Sequence, residues 1–171
     1  MKTNFLTNLL MMASLAMVTM TFTACGGDDD DDNNGRSTAI GVHRIDVHFD
    51  DNIGRCHAIS IFYGLWEDGS FSNLYENDTQ LPLDATSHTW YSEEIRDFSI
   101  STEDKCGAIV ASINVTTPNM MPLDKDVTVT AVGYINGKRL KSQVFTLPAG
   151  RTSMTAIMTT SDDKLESEVT M

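Results

Sequence analysis

Four adjacent carboxylate pairs stand out as groups that could carry chemistry: Asp50-Asp51, Glu67-Asp68, Glu93-Glu94 and Glu103-Asp104. Two carboxylates brought face to face from distant loops hydrolyse glycosides without any local motif. Acidic pairs next to polar residues more commonly mark solvated turns and strand ends. The chain has no G-x-S-x-G, no H-E-x-x-H and no phosphate-binding glycine loop, so the usual nucleophile, zinc and nucleotide chemistries have no foothold. His43 and His48 lie in opposite phases of one extended segment, cannot readily face a common metal from a flat strand, and read as surface and edge histidines. Asn73, Glu76, Asn77 and Asp78 crowd oxygen ligands into one loop, but their spacing is not that of an EF-hand. Cys56-His57 lacks the closely spaced second ligand of a zinc site. No catalytic residue, metal or cofactor is assigned, and the chain is read as a non-enzyme.

A binding surface is better founded. Trp66, Phe71, Tyr75, Trp90 and Tyr91 fall within a stretch, 66–94, that is poor in strand pattern. Exposed rings stack on sugar faces or fill a partner's pocket, which makes Trp66, Tyr75, Trp90 and Tyr91 the candidate ligand contacts. Rings in a small β-domain are otherwise core. Met120-Met121, between Pro118 and Pro122, offers an adaptable contact patch, although burial at one end of the domain is the commoner fate of such a pair.

The elements that must position these residues have a period of two. Ile45, Val47 and Phe49 alternate with Arg44, Asp46 and His48; similar rows are His57-Ile59-Ile61-Tyr63-Leu65, Ile109-Ala111-Ile113-Val115 and Val127-Val129-Ala131, with Phe98-Ile100 and Met154–Met158 as shorter ones. Asn136-Gly137 tolerates the positive φ angles of a two-residue hairpin turn, so 127–135 should pair antiparallel with 138–147. No amphipathic helix is evident. The expected fold is all-β, a single β-sandwich of roughly seven to nine strands over residues 39–160, with a closed barrel as runner-up and a polar, frayed tail at 161–171.

The amino terminus has its own logic. Lys2 precedes an apolar run from Phe5 to Met20 that is interrupted by Thr7, Asn8, Ser14 and Thr19, then small residues and Cys25. That is the layout of a secretory signal, not of a spanning helix. Phe22-Thr23-Ala24-Cys25 resembles a lipobox, with Phe22 where Leu is usual. The resemblance implies a signal peptide over 1–24 and a diacylglycerol and acyl (palmitate-type) anchor on Cys25. The following Gly26-Gly27 and Asp28, Asp29, Asp30, Asp31, Asp32 resemble the acidic surface-export signal of Bacteroidota lipoproteins. That likeness covers only the first 35 or so residues, and it implies a protein held in the outer membrane and exposed at the cell surface. The run also suits a solvated linker over 25–38, of which residues 26–38 span at most about 45 Å.

A net charge of −12 argues against nucleic acid and against electrostatic attachment to anionic lipid. In an exported chain the remaining even pair, Cys56 and Cys106, is expected to form a disulfide, contributing about 4 kcal/mol in the chain-entropy account. Such a bond would set the two strand starts at the same end. The order Cys56, Trp66, Cys106 resembles the immunoglobulin fold, although these residues are out of phase with the apolar rows and Asp104 stands where a corner tyrosine would be.

The resulting expectation is a surface-displayed, non-catalytic binding or adhesion module for a glycan or surface protein. A structural subunit or anchor of a surface assembly such as a fimbria, and a small glycan-active hydrolase, are the alternatives. Cys25→Ala is expected to abolish fatty-acid labelling and to release the protein from the membrane fraction; labelling that persists in the variant refutes the lipid anchor.

Overall fold

The computed structural model describes residues 39–81, 88–92, 97–162 and 164–171, with the backbone alone for 88–92. The signal peptide, Cys25, Asp28 to Asp32 and Glu93-Glu94 lie outside the described residues. Twelve strands are present among those described: β1 (His43–Phe49), β2 (His57–Leu65), β3 (Phe71–Ser72), β4 (Leu74–Glu76), β5 (Thr79–Gln80), β6 (His88–Ser92), β7 (Asp97–Thr102), β8 (Ala108–Thr116), β9 (Val127–Ile135), β10 (Lys138–Leu147), β11 (Ser153–Ser161) and β12 (Lys164–Thr170). Two short 3-10 turns, Asp51–Arg55 and Pro118–Met120, interrupt them. One sheet has the order β10-β9-β1-β7-β4-β5; the other runs β12-β11-β8-β2-β3, with β6 also paired to β2. Every ladder is antiparallel.

The two sheets enclose one apolar core, and the all-β sandwich expected from the alternation is the observed fold. Phe98 of β7 stacks beside Phe49 of β1 at 6.1 Å and meets Phe62 of β2 edge-on at 5.8 Å. The last of these contacts joins the sheets, in the T-shaped geometry that an aromatic quadrupole favours.

The phase of β2 is the opposite of the one its apolar row suggests. Ala58, Ser60, Phe62 and Gly64 are buried, whereas Ile59, Ile61, Tyr63 and Leu65 stand half-exposed on the outer face. The register with β8 gives the reason. It sets Ala58 opposite Val115, Ser60 opposite Ile113, Phe62 opposite Ala111 and Gly64 opposite Ile109, so each inward pair joins a large side chain to a small one and the layer fills evenly. At Gly64 a β-carbon would lie 2.1 Å from Ser72 Oγ, so the β2–β3 corner closes only without a side chain there.

The Asn136-Gly137 hairpin forms as its sequence requires, with φ angles of 50° and 76° and Lys138 opposite Ile135. Asn136 also fastens the segment before β1: its Oδ1 accepts from Val42 N–H at 3.0 Å and its Nδ2 donates to Ile40 O at 3.1 Å. Residues 161–171, expected to fray, instead supply β12, whose residues 164–170 pair without a register break along β11.

The expected disulfide does not form; Cys56 and Cys106 are free, buried thiols. Because β2 and β8 are antiparallel neighbours, with His57 opposite Thr116 and Leu65 opposite Ala108, the cysteines that precede them lie at opposite ends of the sheet. The separation is roughly 25–30 Å for a strand of this length, against the 7 Å or less between α-carbons that a disulfide needs. The same pairing removes the immunoglobulin parallel, in which the bridged strands belong to facing sheets.

His43, read as a surface residue, is fully buried in phase with Ile45, Val47 and Phe49. Its Nε2 lies 2.9 Å from Ala39 O, which can only accept, so that nitrogen carries the proton and Nδ1 accepts from Thr160 Oγ1 at 2.8 Å. This bond ties β1 of one sheet to β11 of the other. Burial pushes the His43 pKa below its ordinary value, against the pull of its hydrogen bonds to Ala39 and its other backbone neighbours.

Two expectations follow. A histidine whose pKa is depressed by folding contributes stability that is complete above the unfolded value, near 6.5, and is lost as pH falls below it. His43→Gln should therefore be less stable than the parent at pH 8, by about 1–3 kcal/mol for the broken buried pair, and the gap should narrow in denaturant melts toward pH 5. A gap constant with pH would show that His43 titrates alike folded and unfolded. For the cysteines, unreduced protein should yield two alkylatable thiols at Cys56 and Cys106 on unfolding in denaturant and resist alkylation when native. Failure of either thiol to appear without reductant would contradict the free pair.

Candidate functional site

Because β1, β7 and β9 bury alternate residues, their remaining residues make the outer face of the β10-β9-β1-β7-β4-β5 sheet. The registers align these into rows across the strands. One row runs Gln80, Tyr75, Ser101, Arg44, Tyr134, Arg139; the next includes Ser99, Asp46 and Val132; a third joins Asp97, His48, Thr130 and Val144. Arg44 is fixed on both sides. Its guanidinium carbon lies 4.1 Å from the Tyr134 ring centroid, and its Nε and Nη2 meet the two Asp46 carboxylate oxygens at 3.0 and 3.3 Å. A guanidinium stacked on a ring and paired with a carboxylate loses little further entropy on contact with a ligand. His48 Nδ1 and Asp97 Oδ1 pair at 2.6 Å on the same face. Tyr75 and Tyr134 are three strand spacings apart, about 14 Å.

Two open depressions border this row and meet at Asp78. One, of about 550 Å³, is walled by Trp66, Tyr75, Asp78, Glu103, Asp104 and Lys105. The other, of about 490 Å³, lies over Arg44, Asp46, His48, Asn77, Asp78 and Asp97. Trp66 and Tyr75, both half-buried, are thus brought to one hollow. Trp90 and Tyr91 are placed elsewhere: β6 sets them opposite Ser60 and Ile59 of β2, in the other sheet, and their side chains lie outside the described residues. The four aromatics therefore do not belong to one sheet. The stretch that carries them, poor in strand pattern as a sequence, holds β3 to β6. Phe71, about half exposed, packs against Tyr63 at 5.9 Å beside the second sheet. Met120 and Met121, expected to be buried, are more than three-fifths exposed.

Most of the carboxylate pairs mark turns. Asp50 caps the first 3-10 turn through Asn52 N and accepts from both the N–H and the hydroxyl of Thr128 at 2.7 and 2.8 Å. Asp68 accepts from the Ser70 hydroxyl and N–H, which hold its carboxyl below the usual range. Glu103 receives both the Nδ2 and the backbone N–H of Asn73, at 3.0 and 3.2 Å. Asn77 and Asp78 have φ angles of 46° and 66° and link β4 to β5 as a two-residue turn, the geometry for which Asn and Asp are suited. The oxygen-rich loop is thus accounted for by Asn73 on Glu103 and by that turn. Among the described residues no three His, Cys, Asp or Glu side chains converge as a metal site.

Arg44, Asp46 and Tyr134 were not singled out by sequence reasoning, and His48 was weighed only as a metal ligand. The signal that could have found them is the outward phase of β1 and β9.

The architecture is thus a two-sheet antiparallel sandwich with a polar and aromatic outer face. Solved structures share the sandwich fold. A DUF4425 family protein from Bacteroides ovatus superposes with a TM-score of 0.59 at 17% identity, over 74% of this chain and 99% of its own. A DUF4425 domain from Bacteroides vulgatus gives 0.59 at 14% identity, over 72% and 95%. The calcium-bound form of a Parabacteroides distasonis protein gives 0.54 at 14%, over 84% and 99%. These likenesses concern the fold. No protein-family model matches the chain, and no curated protein matches it.

Proposed function

We propose that this domain is a non-catalytic binding module, held at the outer membrane through Cys25 and displayed at the cell surface, whose contact face is the outer face of the β10-β9-β1-β7-β4-β5 sheet and whose ligand is a glycan. The observation that carries this reading is the row Tyr75, Ser101, Arg44, Tyr134. It sets two rings and a fixed guanidinium along a rigid sheet, beside hollows rich in hydroxyl, carboxylate and amide groups. Sugar rings present apolar faces that stack on aromatics and hydroxyls that take polar partners at the rim. A site on strands is also more precisely held than one on loops. Binding is favoured over hydrolysis because Glu103, one of the carboxylates lining the larger hollow, is taken up by Asn73.

A glycan array on the full chain, followed by titration of the best hit, tests this. Tyr75→Ala and Tyr134→Ala should each weaken binding about tenfold or more, the order of 1.4 kcal/mol or above, while changing stability little, since both rings are half-exposed. Undiminished affinity in the double variant refutes the face. An array on which the parent binds nothing refutes the glycan and points to a surface protein instead.

A further inference from the structure

Among the described residues the two sheets end in five edge strands, β10 and β5 in one and β12, β3 and β6 in the other. β5 and β3 are two residues long, β6 is five, and β10 is interrupted by a register shift between Arg139 and Ser142. β12 differs. Its seven residues pair with β11 without a break, it contains no proline, and among the described residues no strand pairs with its outer side, where the Gln143 side chain of β10 reaches Leu165 O. Long, regular, uncovered edges are uncommon in folded proteins because they template pairing with another chain.

The backbone of this edge can be assigned. Leu165 O accepts from Gln143 Nε2 at 3.5 Å, across from β10, so Leu165 turns its peptide groups away from β11. In a strand that direction repeats every second residue, and Ser167 and Val169 therefore turn their N–H and C=O outward. Side chains follow the same rule. Leu165, Ser167 and Val169 lie opposite Thr160, Met158 and Ala156, which are buried. Only Leu165 is itself covered; Ser167 is exposed and Val169 is 39% exposed. The core layer of the second sheet thus runs out past its cover, leaving a strip with Val169 uncovered. On the other face, Glu166 and Glu168 stand exposed.

We propose that β12 is the acceptor edge for an extended segment of another protein, added antiparallel as a further strand, with apolar residues over the Leu165–Ser167–Val169 row alternating with basic residues over Glu166 and Glu168. Main-chain hydrogen bonds supply affinity in this mode and alternate side chains supply selectivity. Charge decides between occupants. A second copy paired about Ser167 sets Glu166 against Glu168 twice, and like charges directly opposite are destabilising. The chain's own Asp28 to Asp32 segment is repelled for the same reason. A basic and apolar strand meets no such conflict.

The probe is an acetylated, amidated heptapeptide of alternating Lys and Val, titrated against the full chain. The parent should bind it, and should bind a same-composition peptide with blocked Lys and Val at least tenfold more weakly. Ser167→Pro removes an outward N–H without altering charge and should weaken binding at least tenfold at an unchanged melting temperature. Glu166→Lys combined with Glu168→Lys should transfer preference to an alternating Glu-Val peptide. Should the proline variant unfold, the peptide itself serves: N-methylation at its valines, whose N–H groups face β12 in this register, should abolish binding, and methylation at its lysines should not. No binding by the parent overturns the proposal. So does equal binding of the alternating and blocked peptides, of the two methylated forms, or of the parent and a folded Ser167→Pro, each of which reduces the contact to charge attraction alone.

Discussion

The inward layer that β2 and β8 share sets the terms for the rest of the molecule. Two sheets about 10 Å apart cannot both present large side chains at every inward position. Here the conflict is met pair by pair, with Gly64, Ser60 and Ala58 opposite Ile109, Ile113 and Val115, and Phe62 opposite Ala111. Phe62 is the one large residue that β2 sends inward, and it reaches Phe98 in the facing sheet. Sliding β2 by one residue would turn Ile59, Ile61, Tyr63 and Leu65 into a layer already filled by β8 and expel Phe62 from the aromatic contact. The half-exposed apolar row on the outside of β2 is the consequence of that choice and not a failure of burial.

From that layer the constraint passes to the candidate site. β1 lies between β7 and β9, so its inward residues His43, Ile45, Val47 and Phe49 are enclosed on every side. Strict alternation then obliges Arg44, Asp46 and His48 to share the outer face. The registers with β7, β4 and β9 bring Tyr75 and Tyr134 into the row of Arg44. His43 closes the circuit from within, since its bond to Thr160 holds the end of β1 to the other sheet. The positions on the outer face are therefore as well determined as those of the core beneath them.

What was legible in the residues follows the same division. Alternation in β1, β8 and β9 read correctly because their inward residues are the more apolar ones, and Asn136-Gly137 read correctly because its turn needs only local φ angles. β2 misread because volume complementarity with a distant strand outweighed hydrophobicity. The cysteines misread because an even count carries no information on which ends of the sheet they occupy. Lys164–Thr170 looked like a tail since only Leu165 of it is buried, and an edge strand needs backbone partners more than apolar side chains. Tyr75 was visible as a ring, but Arg44 and Tyr134 lie 31 or more positions away from it in the chain and join its row only through sheet order.

Structural likeness at 14–17% identity is intelligible on the same grounds. Any set of strands that alternates, pairs in register and balances inward volumes satisfies this sandwich, and many sequences do so. The outward residues are under no such obligation. Two proteins can therefore share β-strand order and core while presenting different chemistry on the face above it. In this chain the oxygen-rich stretch around Asn73 to Asp78 serves to shape a hairpin and to engage Glu103, so calcium remains a property of the Parabacteroides distasonis protein that holds it. The outer row of Tyr75, Arg44 and Tyr134 must be judged by what those three side chains can touch.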